Sequence, residues 1–311
     1  MTFPTPHLDK LNKTLENSKL PESDIPQVKE TIEYYKKWIE NLKNLSTAEI
    51  ALATTEEENR LISKMTNLLQ DYKNYVELKL IFESNNDFLY RQKGQLKLDN
   101  SIIEEFIPYL IYPFITDDLK TEFNIGPKKC FSSMYFTGSF NTAIDGGGMK
   151  IRNKDQDFSI SRKVYLKSSL KSDFSESNSI NIYLAHIAAE LKTNLDKTMF
   201  QEASATAHDV KMSVSGAKYF LLCDWLDMTP ISTAATDINE VIILRGKRIS
   251  SNIRKHFSSV KGRKDSFDNY KRYLEENPYR SESFIRFKDH IISSFNDENP
   301  IEESVLERGY F

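Results

Sequence analysis

Two strongly apolar stretches separated by a helical segment constrain the fold of this chain more than any other sequence feature. Residues 180–191 (INIYLAHIAAEL) and residues 217–223 (AKYFLLC) are each typical of a buried strand. Between them, Asp196 is placed to cap a helix that runs from Lys197 to about Lys211. A strand, a helix and a second strand in this order predict a right-handed crossover between two parallel strands.

The sequence around this crossover predicts a mixed sheet with helices beside it. From about Lys128 the chain becomes extended, and further strands are expected at residues 149–160, 163–166 and 240–244. Upstream, residues 26–45 carry apolar side chains at helical spacing, and a second helical stretch runs to about residue 84. This order of elements is typical of an α/β or α+β fold. We therefore expect a helical N-terminal region at residues 1–98, for DNA recognition or subunit contact, and a mixed-sheet core at residues 99–311 whose C-terminal part is helical.

The composition is that of a chain that folds in water. Hydrophobic residues make up 39% and charged residues 28%, which is too apolar for a disordered chain. No run approaches the ~18 apolar residues that a membrane span needs, and the N-terminus lacks the layout of a signal peptide. Cys130 and Cys223 form no CxxC pair, so neither a disulfide framework nor a cysteine zinc site is expected. We expect a cytoplasmic protein without a membrane partner.

The charges are distributed unevenly along the chain. The net charge is only -3, but residues 245–264 (RGKRISSNIRKHFSSVKGRK) contain eight Lys or Arg and no acid, and residues 297–307 contain five acids and no base. A local basic stripe of this kind is what a phosphate backbone attracts. A solvated helix face explains the same stripe equally well at this stage.

Glu190 and Lys192 end the first apolar strand as Glu-Leu-Lys. Residues two apart on a strand point to the same side. An acid that binds a divalent cation, beside an ammonium that orients water, is what a metal-dependent phosphodiester hydrolase needs. A second acid must come from a neighbouring strand, and Asp157 is well placed because a hairpin can set it beside Glu190. The same acid–any–Lys pattern occurs at four other places in the chain, so a structural ion pair stays open.

Longer strings around these residues carry a family resemblance. AELKTNLDKTMFQEASATAHDVK and AKYFLLCDWLDMTPISTAATDINEVIILRGKR resemble the Bpu10I family of type II restriction endonucleases, a branch of the PD-(D/E)xK nucleases. NDFLYRQKGQLKLDNSIIEEFIPYL and RNKDQDFSIS also look like segments of that family. The resemblance spans roughly residues 85–250.

The resemblance implies a PD-(D/E)xK nuclease core and Mg²⁺-dependent cleavage of double-stranded DNA that leaves 5′-phosphates. It implies Asp157 as the first acid, Glu190 as the second acid and Lys192 as the catalytic lysine. The main-chain carbonyl of Leu191 is a further candidate ligand, because a hard cation prefers oxygen. Since the family includes enzymes built from two different subunits that read asymmetric sites, a homodimer or a heterodimer is expected.

One departure from the superfamily pattern leaves the first acid open. Gln156, and not Pro, precedes Asp157, and Asp155 is a rival for the role of first acid. Two other nuclease classes, repair and mobile-element enzymes, also remain possible within the superfamily. A DNA-binding or assembly protein without catalysis is the alternative from a different class.

Further site residues are expected from helices on either side of the catalytic strands. Glu104 and Glu105 are candidate acids on a helix that precedes the strands. Gln201 and Glu202 lie on the helix that follows, where they are candidates to support a metal-bound water or to contact DNA. Lys197 is a candidate phosphate contact near the start of that helix. Ordinary solvated helix positions explain these residues equally well.

Two segments are candidates for DNA contact. Residues 85–97 are expected to form a loop with many long hydrogen-bonding side chains, namely Arg91, Gln92, Lys93, Gln95 and Lys97. Such side chains read base edges in the major groove. The basic stripe is the candidate for positioning the phosphate backbone, through Arg245, Lys247, Arg248, Arg254 and Lys255 in particular.

Overall fold

A computed structural model describes residues 3–47, 54–95, 98–138, 146–295 and 302–309. In these residues the α-helices are α1 Pro6–Leu15, α2 Ile25–Thr47, α3 Thr55–Tyr75, α4 Phe88–Gln95, α5 Asn100–Ile111, α6 Asp117–Glu122, α7 Lys197–Ser213, α8 Ser251–Arg254, α9 Val260–Glu276, α10 Ser281–Ser294 and α11 Glu302–Arg308. The strands are β1 Asn124–Phe136, β2 Met149–Ser168, β3 Asn178–Leu195, β4 Lys218–Leu226 and β5 Glu240–Lys247. A π-helical segment, Val76–Phe82, extends α3.

The five strands form one mixed sheet in sequence order, which confirms the predicted fold class. β1, β2 and β3 are antiparallel neighbours, whereas β3, β4 and β5 run parallel. The parallel pair β3 and β4 is joined through α7, as the strand–helix–strand pattern predicts. The two short strands expected at residues 149–166 are a single long strand, β2, with an irregularity after Ile160. This irregularity explains why the apolar pattern of the sequence is interrupted there.

The two faces of the sheet are covered by different helices. The N-terminal helices, together with α9 and α10, share one hydrophobic core with one face, and this core includes Leu11, Phe106, Phe158 and Phe287. The predicted helix at residues 26–45 is α2. Because one core unites the N-terminal helices and the sheet, the helical region packs directly on the strands that carry the candidate site. The boundary between residues 98 and 99 stays a prediction.

The other face of the sheet packs against α7. Phe200, Ala203 and Ala207 contribute to a second hydrophobic core with Tyr219 and Leu221 of β4. The side chain of Asp196 accepts a hydrogen bond from the main-chain N–H of Met199, so Asp196 is the predicted N-cap of α7. This cap fixes the helix that starts directly after β3.

The predicted loop at residues 85–97 is wrong in its central part, where α4 forms. The buried Leu89 packs into the main core, and Tyr90 makes an edge-to-face contact with Phe82. Arg263 lies over the ring of Tyr90, 5.4 Å from its centroid. These contacts come from distant parts of the chain, and they stabilise a short helix that has little helical pattern of its own.

Both cysteines, Cys130 and Cys223, are free and buried. None of the helices in the described ranges combines the length and the apolar composition that a membrane crossing requires.

Candidate active site

The two acids that the sequence singles out lie at the same level of neighbouring strands. Phe158 on β2 pairs with Ala189 on β3. In an antiparallel pair, the next residues in the same direction are Asp157 and Glu190. The Asp157 carboxylate also accepts a hydrogen bond of 2.9 Å from the main-chain N–H of Leu191. Asp157 is therefore tied to β3 directly beside Glu190.

Glu190 is the centre of a polar cluster on the sheet. Its Oε1 lies 2.6 Å from Nζ of Lys192, and its Oε2 accepts a hydrogen bond of 2.8 Å from the hydroxyl of Tyr219. Burial alone would lower the pKa of Lys192, but its hydrogen bond to Glu190 and the negative charges of Glu190 and Asp157 raise the pKa above its ordinary value. Lys192 therefore keeps its positive charge at neutral pH. Burial, followed by the charge of Glu190, raises the pKa of Tyr219, so this hydroxyl stays a hydrogen-bond donor.

The first turn of α5 lies against the same strand ends. Asn100 donates from its side-chain amide to the carbonyl oxygen of Leu191 over 2.9 Å, and to Oε1 of Glu104 over 3.3 Å. Glu104 is buried and lines the same cleft as Asp157. The start of α5 thus holds the Leu191 carbonyl and brings one of the two candidate helix acids close to Asp157.

Glu105, the second candidate acid on α5, lies in the protein interior and forms structural hydrogen bonds there. It is fully buried, and its carboxylate accepts hydrogen bonds from the main-chain N–H of His7 (3.0 Å) and from the hydroxyl of Tyr35. Burial raises the pKa of Glu105 to about 7. Glu105 therefore connects α1 and α2 to α5, while its neighbour Glu104 faces the cleft.

A cleft of about 710 Å³ opens beside Asp157 between α1, α5, β1, β2 and the start of β3. We refer to it as the Asp157 cleft. Its charged lining residues are Asp9, Lys10, Lys13, Glu104, Lys128, Lys129, Asp155 and Asp157. Asp155, the rival first acid, has a side chain that is 79% exposed and lies 3.9 Å from Lys129. Of the two acids, only Asp157 is bonded to the strand that carries Glu190 and Lys192.

The candidates on α7 lie close to this cluster but on the protein surface. Glu202 is exposed, and its negative charge helps to raise the pKa of Lys192. Lys197 is exposed at the first turn of α7. Gln201 is also exposed. The structure therefore brings Glu202 near the cluster and leaves Lys197 and Gln201 facing solvent.

The predicted basic stripe does not form one continuous surface. Arg245 is only 1% exposed, and its guanidinium donates to the carbonyl oxygen of Asn277 over 2.7 Å and stacks over Trp225. Arg263 is fully buried, and it bonds the carbonyl oxygen of Asn86 over 2.6 Å. Both side chains stabilise the interior, so the prediction that Arg245 contacts the DNA backbone is not compatible with its position. Counting charges along the sequence cannot separate such residues from exposed ones.

Other members of the stripe remain at least partly exposed, namely Lys247, Arg248, Arg254 and Lys255. Arg248 and Arg254 share Asp227 as their carboxylate partner, with Arg254 at 3.7 Å. Both arginines line a cavity of about 260 Å³ that also contains Thr193 and Asn194, which follow Lys192 on β3. These two arginines therefore lie near the end of the strand that carries the candidate lysine.

The candidate residues at positions 91–97 start on α4. Arg91 is exposed and lies 3.5 Å from Asp87, one helical turn away. The side chains of Gln92, Lys93 and Gln95 and the whole of Lys97 lie outside the described residues. Arg91 is therefore a solvent-facing residue of a helix and does not lie on a loop.

Two functional candidates emerge only from the structure. Tyr219 lies inside an apolar strand, where its sequence environment indicates core packing, yet its hydroxyl bonds Glu190. Asn100 is the first residue of α5, and its side-chain amide reaches the main-chain carbonyl of Leu191 on a distant strand. For Tyr219, the sequence offers one signal of a functional role, namely a tyrosine in an otherwise apolar strand, because a buried hydroxyl needs a polar partner.

The donor chemistry of the cluster suits a hard cation. Within the described ranges, no three or more His, Cys, Asp and Glu side chains are arranged to hold a metal ion. The cluster offers two carboxylates, Asp157 and Glu190, and one main-chain oxygen, that of Leu191. A set made only of oxygen atoms fits Mg²⁺ and does not resemble the nitrogen and sulfur sets of structural zinc sites.

Comparisons with known proteins identify the family and the fold of the chain. A family model described as Bpu10I restriction endonuclease matches residues 95–311. A chain of the native BbvCI A2B2 tetramer, solved at low resolution, has a similar fold, with a TM-score of 0.58 and 19% sequence identity. The similarity covers 96% of this chain and 100% of that chain. No curated protein gives a match. The structural likeness shows the fold of a restriction enzyme, as the sequence predicts.

Proposed function

The chain belongs to the Bpu10I restriction endonuclease family, and we propose that it is a type II restriction endonuclease that cleaves double-stranded DNA at specific sites with Mg²⁺. The observation that carries the proposal is the cluster of Asp157, Glu190 and Lys192 at one level of β2 and β3. Two carboxylates and an ammonium at one point are the groups that metal-assisted hydrolysis of a phosphodiester requires.

Asp157 and Glu190 are the residues that would hold Mg²⁺, together with the main-chain carbonyl of Leu191. Their all-oxygen donor set supports this assignment. When bound, the cation supplies an activated water molecule and stabilises negative charge on the phosphate. The hydrogen bond from Tyr219 to Glu190 and the bond from Asn100 to Leu191 hold two of these donors in place.

Lys192 is the residue that we assign to the attacking water and the reacting phosphate. Its ammonium is charged at neutral pH, so it can orient the water and offset the negative charge that develops during attack. The exposed Glu202 and the buried Glu104 are supporting acids at either side of the cluster. In-line attack at phosphorus breaks the bond to the 3′-oxygen and gives a 5′-phosphate and a 3′-hydroxyl.

Basic residues at the surface are proposed to contact DNA. Phosphate contacts are assigned to Lys197 and to the members of the basic stripe that are at least partly exposed, Lys247, Arg248, Arg254 and Lys255. These contacts position the duplex without reading its sequence. Arg91, Gln92 and Lys93 on or beside α4 are the candidates for base contacts, because arginine and lysine pair with guanine edges and glutamine pairs with adenine edges.

A second subunit is part of the proposal. The chain with the similar fold comes from an A2B2 tetramer, and one active site of this kind cuts one strand at a time. We therefore expect a homodimer or a heterodimer to make the double-strand break. A sedimentation measurement of the purified chain gives its oligomeric state, and the ratio of nicked to linear plasmid shows whether this chain alone cuts one strand or both.

The direct test is incubation of the purified chain with long DNA and Mg²⁺, followed by mapping of the ends. We expect cuts at discrete sequence positions with 5′-phosphates. Lys192→Ala and Glu190→Gln should each lower the cleavage rate by roughly 10³-fold or more while binding in Ca²⁺ persists. Lys211→Ala is the matched control, because Lys211 belongs to another acid–any–Lys pattern, and it should cleave like the wild type.

Other outcomes identify the rival functions. Cleavage that follows DNA structure and not sequence would indicate a repair or mobile-element nuclease of the same superfamily. Specific binding without any response to Mg²⁺ or Mn²⁺ in the wild type would indicate a DNA-binding or assembly protein. Full cleavage by a folded Lys192→Ala variant would indicate that Glu190 and Lys192 form only a structural ion pair.

A further inference from the structure

The N-terminal helix α1 forms part of the wall of the Asp157 cleft. Its cleft-lining residues are Pro6, Asp9, Lys10 and Lys13. Residues three and four positions apart lie on the same side of a helix, so these four share one flank of α1. The buried residues of the helix, His7, Leu11 and Thr14, occupy the side that faces the core. Lys10 and Lys13 therefore lie on the same side of α1, the side that lines the cleft.

A network of buried polar groups fixes α1 in this position. The ring nitrogens of His7 form hydrogen bonds with the hydroxyl groups of Ser101 (3.1 Å) and Tyr72 (2.8 Å). The main-chain N–H of His7 donates to Glu105 over 3.0 Å. Since Glu105 follows Glu104 on α5, the helix that carries a cleft acid also anchors α1. A side chain on α1 consequently has a defined position relative to Asp157.

The charges in the cleft are suited to a phosphate backbone. Asp157 and Glu104 repel a DNA phosphate, so nearby cations are needed to hold the strand at these acids. Within the described ranges, neither Lys10 nor Lys13 forms an ion pair, whereas Lys129 lies 3.9 Å from Asp155. The ammonium groups of α1 are therefore available to pair with a phosphate, together with that of Lys128, which lies over the ring of Tyr183, 4.1 Å from its centroid.

We propose that α1 is a substrate-binding element in which Lys10 and Lys13 bind phosphate groups of the DNA strand that enters the Asp157 cleft. The proposal rests on the proposed nuclease function and adds a site to it. α1 lies before residues 95–311, the part of the chain that the family model matches.

The test compares two double variants of the 311-residue chain that lose the same charge. Lys10→Ala/Lys13→Ala removes both cleft lysines, and Lys29→Ala/Lys43→Ala removes two exposed lysines of α2. Binding to a long mixed-sequence duplex is measured in Ca²⁺ by fluorescence anisotropy at several salt concentrations. Two phosphate contacts correspond to a change of roughly 2 in the slope of log affinity against log salt. We expect this change, with roughly tenfold weaker binding, only in the α1 variant.

Charge restoration and cleavage complete the test. Lys10→Arg/Lys13→Arg should restore the wild-type slope, because it keeps both positive charges. At subsaturating protein, the Lys10→Ala/Lys13→Ala variant should cleave more slowly than the α2 control, and saturating protein should recover most of the rate. Equal slopes in the α1 and α2 variants would overturn the role of α1 while leaving the nuclease function intact. Absence of any DNA binding by the wild type would overturn both proposals.

Discussion

The carboxylate of Asp157 on β2 accepts a hydrogen bond from the main-chain N–H of Leu191 on β3, over 2.9 Å. This hydrogen bond from the main chain to a side chain links the two strands beside Glu190, where their regular pairing ends. It attaches Asp157 to a main-chain atom of β3, the strand that carries Glu190 and Lys192. Because the carbonyl of Leu191 is also held, by Asn100 on α5, the peptide around Leu191 is bonded on both sides. Such a doubly held peptide suits a site whose donors must be in place before the cation binds.

Replacement of Tyr219 by Phe tests whether this hydroxyl positions Glu190. The substitution removes the 2.8 Å hydrogen bond to Oε2 and leaves the ring in the core. Loss of an outer contact to a metal ligand typically costs roughly 10–100-fold in metal affinity or activity. We expect the Mg²⁺ concentration for half-maximal cleavage to rise by that factor. The measurement is a cleavage rate at graded Mg²⁺ concentrations.

Tyr165→Phe is the control for this prediction, because Tyr165 is 73% exposed on β2. Its half-maximal Mg²⁺ concentration should equal that of the wild type. If Tyr219→Phe only lowers the stability, by about 1 kcal/mol, and leaves the Mg²⁺ dependence unchanged, the hydroxyl has a packing role alone.

Arg245 and Lys247 lie two residues apart in the same basic stripe. We expect the loss of Arg245 to lower the stability strongly and the loss of Lys247 to leave it almost unchanged. Arg245→Ala removes a guanidinium that bonds the carbonyl oxygens of Asn277 and Leu274 inside the protein. Breaking a buried charged contact costs about 3–5 kcal/mol. Lys247→Ala is an exposed change and should stay within about 0.5 kcal/mol of the wild type. Urea unfolding measures both values, and equal stability of the two variants would contradict the interior role of Arg245.

The buried carboxyl of Glu105 should make the stability depend on pH in a defined direction. Burial raises the pKa of Glu105 from 4.5 to about 7, so the folded state binds this proton more tightly than the unfolded chain does. The stabilising contribution is therefore complete below about pH 4.5 and is lost as the pH rises to about 7. His7 acts in the opposite direction, since burial lowers its pKa to about 3 and protonation of the unfolded chain destabilises the fold as the pH falls.

Comparison of the wild type with Glu105→Gln isolates the contribution of Glu105, because His7 is present in both proteins. Glutamine resembles the protonated carboxyl at every pH. From pH 8 to pH 5, we expect the wild type to gain about 2–3 kcal/mol of unfolding free energy relative to Glu105→Gln. Urea unfolding at these two pH values measures the difference. A difference that does not change with pH would show that the Glu105 proton does not contribute to stability.

The elements with a strong local pattern were predictable from the sequence. β3, α7 and β4 each carry a continuous apolar run or a capping residue, and local physics is sufficient to recognise them. The same holds for Glu190 and Lys192, because alternation along one strand fixes their relative orientation.

Features that depend on distant contacts were not predictable in this way. α4 forms because Leu89 and Tyr90 pack against residues from other parts of the chain. Arg245 is buried because Trp225 and Tyr279 provide aromatic faces around it. In each case the deciding partner lies on another element, and a reading of local charge or periodicity contains no information about it.

The most direct test of the proposed metal site compares Asp157→Asn with Asp155→Asn in cleavage of long DNA with Mg²⁺. Asn at position 157 can still accept the hydrogen bond from Leu191 but no longer carries the charge that holds a cation. We expect Asp157→Asn to lose cleavage by roughly 10³-fold or more, with DNA binding in Ca²⁺ intact, and Asp155→Asn to cleave like the wild type. Cleavage that survives in Asp157→Asn, or that is lost only in Asp155→Asn, would contradict the assignment of Asp157 to the metal site.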